Sequence, residues 1–322
     1  MGKIIAITGA TGFVGRKIAE LNLAEGRLVR YLTRCDAKPI QLAYPTIGDV
    51  NSGREQLLPF LNECNTLINC AGELYDQAKM FDTHVQGTIN LLHLIKECRK
   101  HSQEVFHWVQ LSSCGAYGVS VFGDQEIIIN ESSANNPQNE YEQTKTKADD
   151  LLIEFAKNNP WFKYTIIRPT IVFGAEMRSS ALLRIIRLVK RGLFFYLSTK
   201  ESIANYVYVD DVVNAIEASI TNERAYNEIF IVSNDCKFKD LLNAIASELR
   251  VASPFIVINK KLVKFITKIV GLFIDLPIKE QQLDVFTRRV EFSSQKIRDK
   301  LDWKPNAPVP DQIKQYVNLL NE

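Results

Sequence analysis

No run of apolar residues in this chain is long enough to cross a bilayer. The longest, Leu262 to Leu276, is interrupted by Lys264, Lys268 and Gly271, whereas a spanning helix needs about 20 mostly apolar residues. It reads as a core-facing helix over Lys260–Phe273. The alternative is a helix lying on a membrane surface, with Lys260, Lys261, Lys264 and Lys268 among the headgroups. The N-terminus runs straight into a strand pattern, so no signal peptide is expected. Cysteine is sparse and scattered. The six lie at 35, 64, 70, 98, 114 and 236, with no CxxC pair and no zinc-type spacing. That argues for reduced thiols in a cytoplasmic protein and against a metal site. Charge of one sign is also lacking. The net charge is +2 and there is no basic arm or tail, so nothing marks a nucleic-acid partner. No internal repeat or low-complexity linker divides the chain.

What is there suffices for a large core. A chain of 322 residues that is 46% hydrophobic and 24% charged is expected to fold as a globular protein with two packed lobes. The first half alternates apolar runs with helical patterns, as stacked βαβ units do. Strands are expected at Ile4–Thr8, Leu28–Thr33, Thr66–Asn69, Phe106–Ser112 and Tyr164–Arg168. Helices are expected at Phe13–Ala24, Met80–Lys100 and Tyr141–Asn158. This pattern predicts an α/β fold, a Rossmann-type doubly wound parallel sheet with its ligand site at the strands' C-terminal ends.

After Pro169 the pattern changes. Phe173-Gly174 reads as a loop and Ser180–Arg191 as a basic amphipathic helix. Tyr206–Val209 reads as a strand, Asp210–Thr221 as a helix and Ile229–Val232 as another strand. Lys239–Arg250, Lys260–Phe273 and Pro310–Leu320 complete a smaller, mainly helical lobe. The expected division is interleaved: residues 1–172 plus about 204–232 bind a dinucleotide, and 173–203 plus 233–322 bind substrate.

The turn after the first strand, Gly9-Ala10-Thr11-Gly12-Phe13-Val14-Gly15, opens a helix. Gly9 permits the tight turn, Gly12 lets backbone amides approach a pyrophosphate, and Gly15 lets the helix pack close to the strand. The helix N-terminus then offers free N–H groups and the positive end of its dipole. Gly9, Thr11, Gly12, Phe13, Val14 and Gly15 are therefore the candidate contacts to NAD(P). An acid at the end of the second strand would hold the ribose diol of NAD, but that end carries Thr33 and Arg34. A guanidinium there pairs with the 2′-phosphate of NADP(H), which is favoured; Asp36, two residues on, leaves NAD(H) open. Asp49 and Val50 lie where a loop reaches the adenine edge. Asp49 either accepts from its amino group or caps the following helix.

The second signature is Tyr141-Glu142-Gln143-Thr144-Lys145, preceded by the strand end Leu111-Ser112-Ser113. A free tyrosine titrates near 10 and needs about 1.4 kcal/mol per unit to become a base at neutral pH. Lys145 lies one helical turn after Tyr141, on the same face. Its ammonium, with the charge of an oxidised nicotinamide, favours the phenolate. Lys145 is also placed to hold the nicotinamide ribose, and Ser113 to hydrogen-bond the substrate oxygen while Tyr141 moves its proton. Hydride transfer is the chemistry this set serves.

At these residues the chain resembles the extended short-chain dehydrogenase/reductase family, the NAD-dependent epimerase/dehydratase group. The resemblance covers nearly the whole chain. It includes Leu111 to Gly118, similar to the family's Ser-Ser-x-x-x-Tyr-Gly element, and Tyr206 to Val212, similar to its strand-to-helix motif. It also includes Ile167 to Gly174, similar to the loop that walls the nicotinamide, and Lys296 to Pro305, similar to its closing motif. The resemblance implies that Ser113 is the catalytic serine, with Ser112 as fallback. It implies that Cys70, Ala71 and Gly72 pass the adenosine ribose and that Pro169, Thr170 and Val172 flank the nicotinamide. Two positions depart. His84 stands where the family often has Asn, so it either braces the active-site helix or joins a proton path. Asp302 replaces the usual glycine of the closing motif.

The resemblance makes a nucleotide-linked sugar the leading substrate, reduced or epimerised. Arg184, Arg187 and Arg191 recur at helical spacing and, with Arg288 and Arg289, are candidates to grip a diphosphate; the plain alternative is a solvated basic face. Arg187, Arg191, Arg288, Ser113 and His84 are the candidate substrate contacts. A hydrophobic carbonyl is the second reading, with Leu193, Phe194, Phe195, Tyr196 and Leu197 as an apolar wall, as in steroid-dehydrogenase-like and flavonoid-reductase-like branches. A non-catalytic NADP-sensing protein is the third; it has no need of Ser113, Tyr141 and Lys145 together. A homodimer is left open.

Overall fold

Apolar strands separated by amphipathic helices bury their backbone polar groups best in one sheet covered on both faces. The computed structural model describes residues 4–35, 39–118, 126–177, 181–196, 202–258 and 289–320, and adopts that solution. In chain order, β1 (Ile4–Thr8), α1 (Phe13–Ala24), β2 (Leu28–Thr33), β3 (Tyr44–Ile47), α2 (Arg54–Leu61) and β4 (Cys64–Asn69) come first. Then follow α3 (Gln77–Phe81), a π turn (Asp82–Gln86), α4 (Gly87–Cys98), β5 (Phe106–Leu111), β6 (Glu126–Ile129), α5 (Glu140–Asn158) and β7 (Phe162–Pro169). The second half holds β8 (Ile171–Phe173), α6 (Ala181–Lys190), β9 (Ile203–Ala204), β10 (Tyr206–Tyr208) and α7 (Val209–Ile220). It continues with β11 (Glu228–Val232), β12 (Cys236–Lys237), α8 (Phe238–Glu248), β13 (Arg289–Phe292) and the helices Gln295–Leu301 and Val309–Leu319.

Seven strands form one all-parallel sheet in the order β11-β7-β5-β4-β1-β2-β3. The order reverses at β1, so the C-terminal ends of β1 and β4 border the crevice where such sheets bind ligands. One core lies where α1 and α7 cover the sheet, around Ile5, Ile7, Ile18, Val212 and Ile216. Another lies on the opposite face, around Leu57, Leu91, Trp108 and Phe162. A separate apolar cluster joins α6, α8 and the C-terminal helix through Ile185, Leu241, Leu242, Ile313 and Tyr316.

Several expectations need correction. The pattern over Met80–Lys100 is not one α-helix: it starts at Gln77 and is widened by the π turn at Asp82–Gln86. Phe173 is not loop but the end of β8, paired with Tyr208. Val209 opens α7 rather than ending the preceding strand. The edge strand β3 and the Pro59-containing helix α2 carry little apolar periodicity and were not expected. Neither was the pairing of β6 with β13, more than 150 residues apart. The reading of Lys260–Phe273 lies outside the described residues, as do Asp36, Leu197 and Arg288.

Candidate active site

The glycine turn works by leaving side chains out. Gly9 has φ +65°, a left-handed conformation that favours glycine, and a Cβ there would sit 2.6 Å from the Cys70 carbonyl carbon. A Cβ on Gly15 would lie 2.2 Å from the Gly9 carbonyl oxygen. Only bare backbone lets α1 start this close to the end of β1. Gly12 is the N-cap; no side chain caps α1, and its first turn holds no acid. Its N–H groups and dipole are therefore left for an anion. A dinucleotide pyrophosphate fits this cradle. Thr11 is exposed, Phe13 and Val14 are partly buried, and the Phe13 ring leans against Gly174.

A line of polar bonds crosses the strand ends below. Thr8 Oγ1 donates to Asn69 Oδ1, and Asn69 Nδ2 donates to Gln110 Oε1 at 3.0 Å. The Ala71 N–H donates to Thr8 Oγ1 at 3.2 Å, which holds Cys70-Ala71-Gly72 beside the glycine turn. Thr170 follows β7 and bonds Ser233 across at 2.9 Å; Pro169 is buried and Val172 partly buried. Arg34 is exposed at the end of β2. Asp49 accepts from the Asn51 N–H at 2.8 Å, and Val50 is buried where a Cβ on Gly87 would touch it.

The N-terminal end of α5 works in the opposite way, by burying polar side chains. The helix starts at Asn139, whose side chain accepts from the Glu142 N–H. Thr144, Lys145, Ala148, Asp149 and Leu152 face inward at helical spacing. Lys145 is buried and its Nζ donates to the Leu111 carbonyl at 2.6 Å. Ser113 Oγ accepts from the Gly115 N–H at 3.0 Å. Burial, assisted by the Asp149 carboxylate, pushes the Tyr141 phenol up to about 12; the nearby Ser113 hydroxyl pulls against it. Burial pulls Lys145 down from its usual value. A Cβ on Gly72 would come within 3.5 Å of His84 Nε2 and 3.9 Å of Lys145 Nζ. The loop after β4, the π turn and α5 thus meet at one place.

His84 stands edge-on to Tyr141, with ring centroids 5.6 Å apart. Its Nε2 accepts from the Glu73 N–H at 2.9 Å, and its Nδ1 lies 2.8 Å from Thr144 Oγ1. Thr144 Oγ1 donates to the Glu140 carbonyl at 2.8 Å, so it accepts from Nδ1–H. This assigns the neutral Nδ1–H tautomer. Burial pushes His84 down to about 3, with the Lys145 charge adding to the effect. An imidazole so held braces α5 against the Glu73 loop and has no proton to spare near neutrality.

Arg184 and Arg187 on α6 and Arg191 just past its end are exposed on the side away from the cluster that joins α6 and α8, with no described bond to Tyr141 or Lys145. The residues that sequence reasoning missed are Thr144, Glu73 and Asp149. Their signal was present only for Asp149, which repeats the Tyr141–Lys145 spacing one turn further along α5.

The profile of the NAD dependent epimerase/dehydratase family matches residues 5–232. The chain belongs to that family. A UDP-glucose 4-epimerase of Vibrio cholerae is 23% identical over 327 residues, covering 98% of this chain and 94% of its own. The structure of a UDP-glucose 4-epimerase from Thermotoga maritima with UDP-glucose superposes with a TM-score of 0.74 at 18% identity, covering 99% and 98% of the two chains. That of MoeE5 in complex with UDP-glucuronic acid and NAD gives 0.74 at 16%, covering 99% of each. The fold is the Rossmann-type fold of these epimerases, and the protein is an NAD(P)-dependent enzyme of the oxidoreductase/epimerase class. Among the described residues no helix is long and apolar enough to cross a membrane.

Proposed function

We propose that the enzyme oxidises a carbinol, or reduces the corresponding keto group, of a nucleotide-linked sugar, with Tyr141 as acid/base, Ser113 as the partner of the substrate oxygen and Lys145 as the residue that holds the nicotinamide ribose. The observation that carries this reading is the meeting of Ser113, Tyr141 and Lys145 beside the glycine cradle. When bound, the nicotinamide supplies or accepts the hydride. The chain's own part is the proton. At neutral pH the Tyr141 phenol is protonated, so the unliganded protein is poised to donate to a carbonyl oxygen, with Ser113 fixing the direction of the bond. In the reverse direction the same phenol must yield its proton; the positive charge of an oxidised nicotinamide favours that step, as does an ammonium at Lys145, one turn along the same helix face.

For the cofactor, NADP(H) is our choice. Arg34 stands exposed at the end of β2 and no acid is found there among the described residues. Support for a nucleotide sugar comes from the epimerase relatives above. The test is a panel of nucleotide sugars offered to the purified protein with oxidised or reduced cofactor, read by the absorbance of the reduced nicotinamide and by sugar epimer analysis. Tyr141→Phe keeps the ring and loses the proton. It should bind cofactor like the wild type and turn over ~10²–10⁴-fold more slowly. Turnover within a few-fold of wild type rejects Tyr141 as the acid/base.

A further inference from the structure

The face of α5 that carries Tyr141 and Lys145 continues one turn further to Asp149. Asp149 and Arg168 are both fully buried. Asp149 Oδ2 accepts from Ser112 Oγ at 2.7 Å and from Arg168 Nε and Nη2 at 3.2 and 3.0 Å. Arg168 Nη1 donates to Asn135 Oδ1 at 2.9 Å, and its guanidinium lies 5.0 Å above the Tyr117 ring. Asp149 Oδ1, in contrast, has no hydrogen-bond partner among the described residues. This is an odd way to build a purely structural ion pair. Arginine matches a carboxylate best with one donor to each oxygen. Here all three donors converge on Oδ2 and the other oxygen is left bare in the core, which is costly unless its charge is used.

The nearest use is on the same helix. Lys145 precedes Asp149 by four residues, so the two side chains leave α5 on one face. Lys145 is a buried ammonium whose one described bond is to a neutral carbonyl. Such a group tends to lose its proton unless an anion is close. We propose that Asp149 is a positioning residue that keeps Lys145 charged and, through Ser112, ties the serine-bearing end of β5 to the catalytic face of α5. The proposal rests on the reading of Tyr141 and Lys145 given above.

The electrostatics agree in sign. Against the lowering effect of burial on Lys145, the largest raising influence is Asp149, followed by Cys70. Other charged or titratable groups face the same place: Glu142 on α5, His84 in the π turn, and Arg168 on β7, which offsets part of the Asp149 charge. Asp149 also raises the Tyr141 phenol. Burial raises Asp149 itself, and Arg168 and Ser112 oppose that; once ionised, it favours the charged lysine and the neutral phenol.

The test needs no catalysis. Lys145 in the unliganded full chain is labelled with acetic anhydride at a series of pH values, and the midpoint of its labelling is read by mass spectrometry. Asp149→Asn keeps shape and hydrogen bonding but removes the charge. Its midpoint should fall by about one pH unit, which is about tenfold faster labelling on the acidic side. Asp149→Glu should recover most of the shift. Asp149→Asn combined with Arg168→Gln removes both buried charges, which covers the case where a lone guanidinium unfolds the single variant; its midpoint should fall as well. An unmoved midpoint in Asp149→Asn, or in the double variant where the single one does not fold, overturns the proposal. The outcome is separate from that of Tyr141→Phe, since turnover can depend on Tyr141 whether or not Asp149 sets the charge of Lys145.

Discussion

The glycine turn and the α5 face sit side by side but are built by opposite means. The turn succeeds by omission. Gly9, Gly12 and Gly15 leave out the Cβ at the close approaches, and the backbone amides at the start of α1 are left uncapped. The α5 face succeeds by accumulation, packing a lysine, an aspartate, a histidine and two hydroxyls where solvent does not reach. The first kind of site is geometric and tolerates no added atom. The second is electrostatic, and each member's charge depends on the others. Substitutions should therefore fail differently in the two places.

The largest effect is expected in the turn. Gly15→Ala places a methyl 2.2 Å from a backbone oxygen, with no flexible side chain to give way. The cost should exceed about 4 kcal/mol, seen as a lower midpoint in urea unfolding together with loss of dinucleotide binding. Near-normal stability and binding would show that the cradle is looser than its contacts imply.

Next comes the cofactor edge, where a single charge is at stake. Arg34→Ala should weaken NADPH by about 1.5–3 kcal/mol, the range for a hydrogen bond to a charged group, and leave NADH almost unchanged. Calorimetric titration decides this. Tighter binding of NADH than NADPH by the wild type would reverse the cofactor choice and turn attention to Asp36.

The smallest effect, and the one that sharpens the contrast most, is at His84. His84→Leu leaves the Glu73 N–H without its partner, at a cost of about 1–3 kcal/mol at neutral pH. The pH dependence has a definite sign. His84 is pushed down to about 3 in the fold from 6.5. The unfolded chain thus binds the extra proton between those values, and the stability His84 contributes above pH 6.5 is lost as pH falls. The slope is about 1.4 kcal/mol per pH unit for one histidine. Between pH 6 and pH 4 the leucine variant should therefore lose less stability than the wild type, by urea unfolding. Parallel loss in both proteins would mean that His84 is protonated in the fold.

The same contrast explains what could be read from the sequence. The turn was legible because omission leaves a local mark: three glycines between a strand and a helix, with β1, α1 and β2 ending where the pattern places them. Tyr141 and Lys145 were legible because both lie on one helix. The rest of the α5 face was not. Asp149 meets Ser112 and Arg168 from two other strand segments, and His84 reaches Thr144 and Glu73 from a π turn. Contacts made between elements leave no mark in the apolar spacing of any one of them. Likewise β3 is an edge strand with mostly exposed side chains, so no apolar alternation marked it.

If the two regions act on one another as proposed, the cradle brings a cationic nicotinamide to a phenol that burial holds at about 12. The direct measurement is the ultraviolet titration of Tyr141, taken as the difference between wild type and Tyr141→Phe, with and without oxidised dinucleotide. The phenolate should appear at lower pH when the oxidised cofactor is bound, and the reduced cofactor should not produce the shift. A Tyr141 titration that ignores the oxidised cofactor would contradict the account.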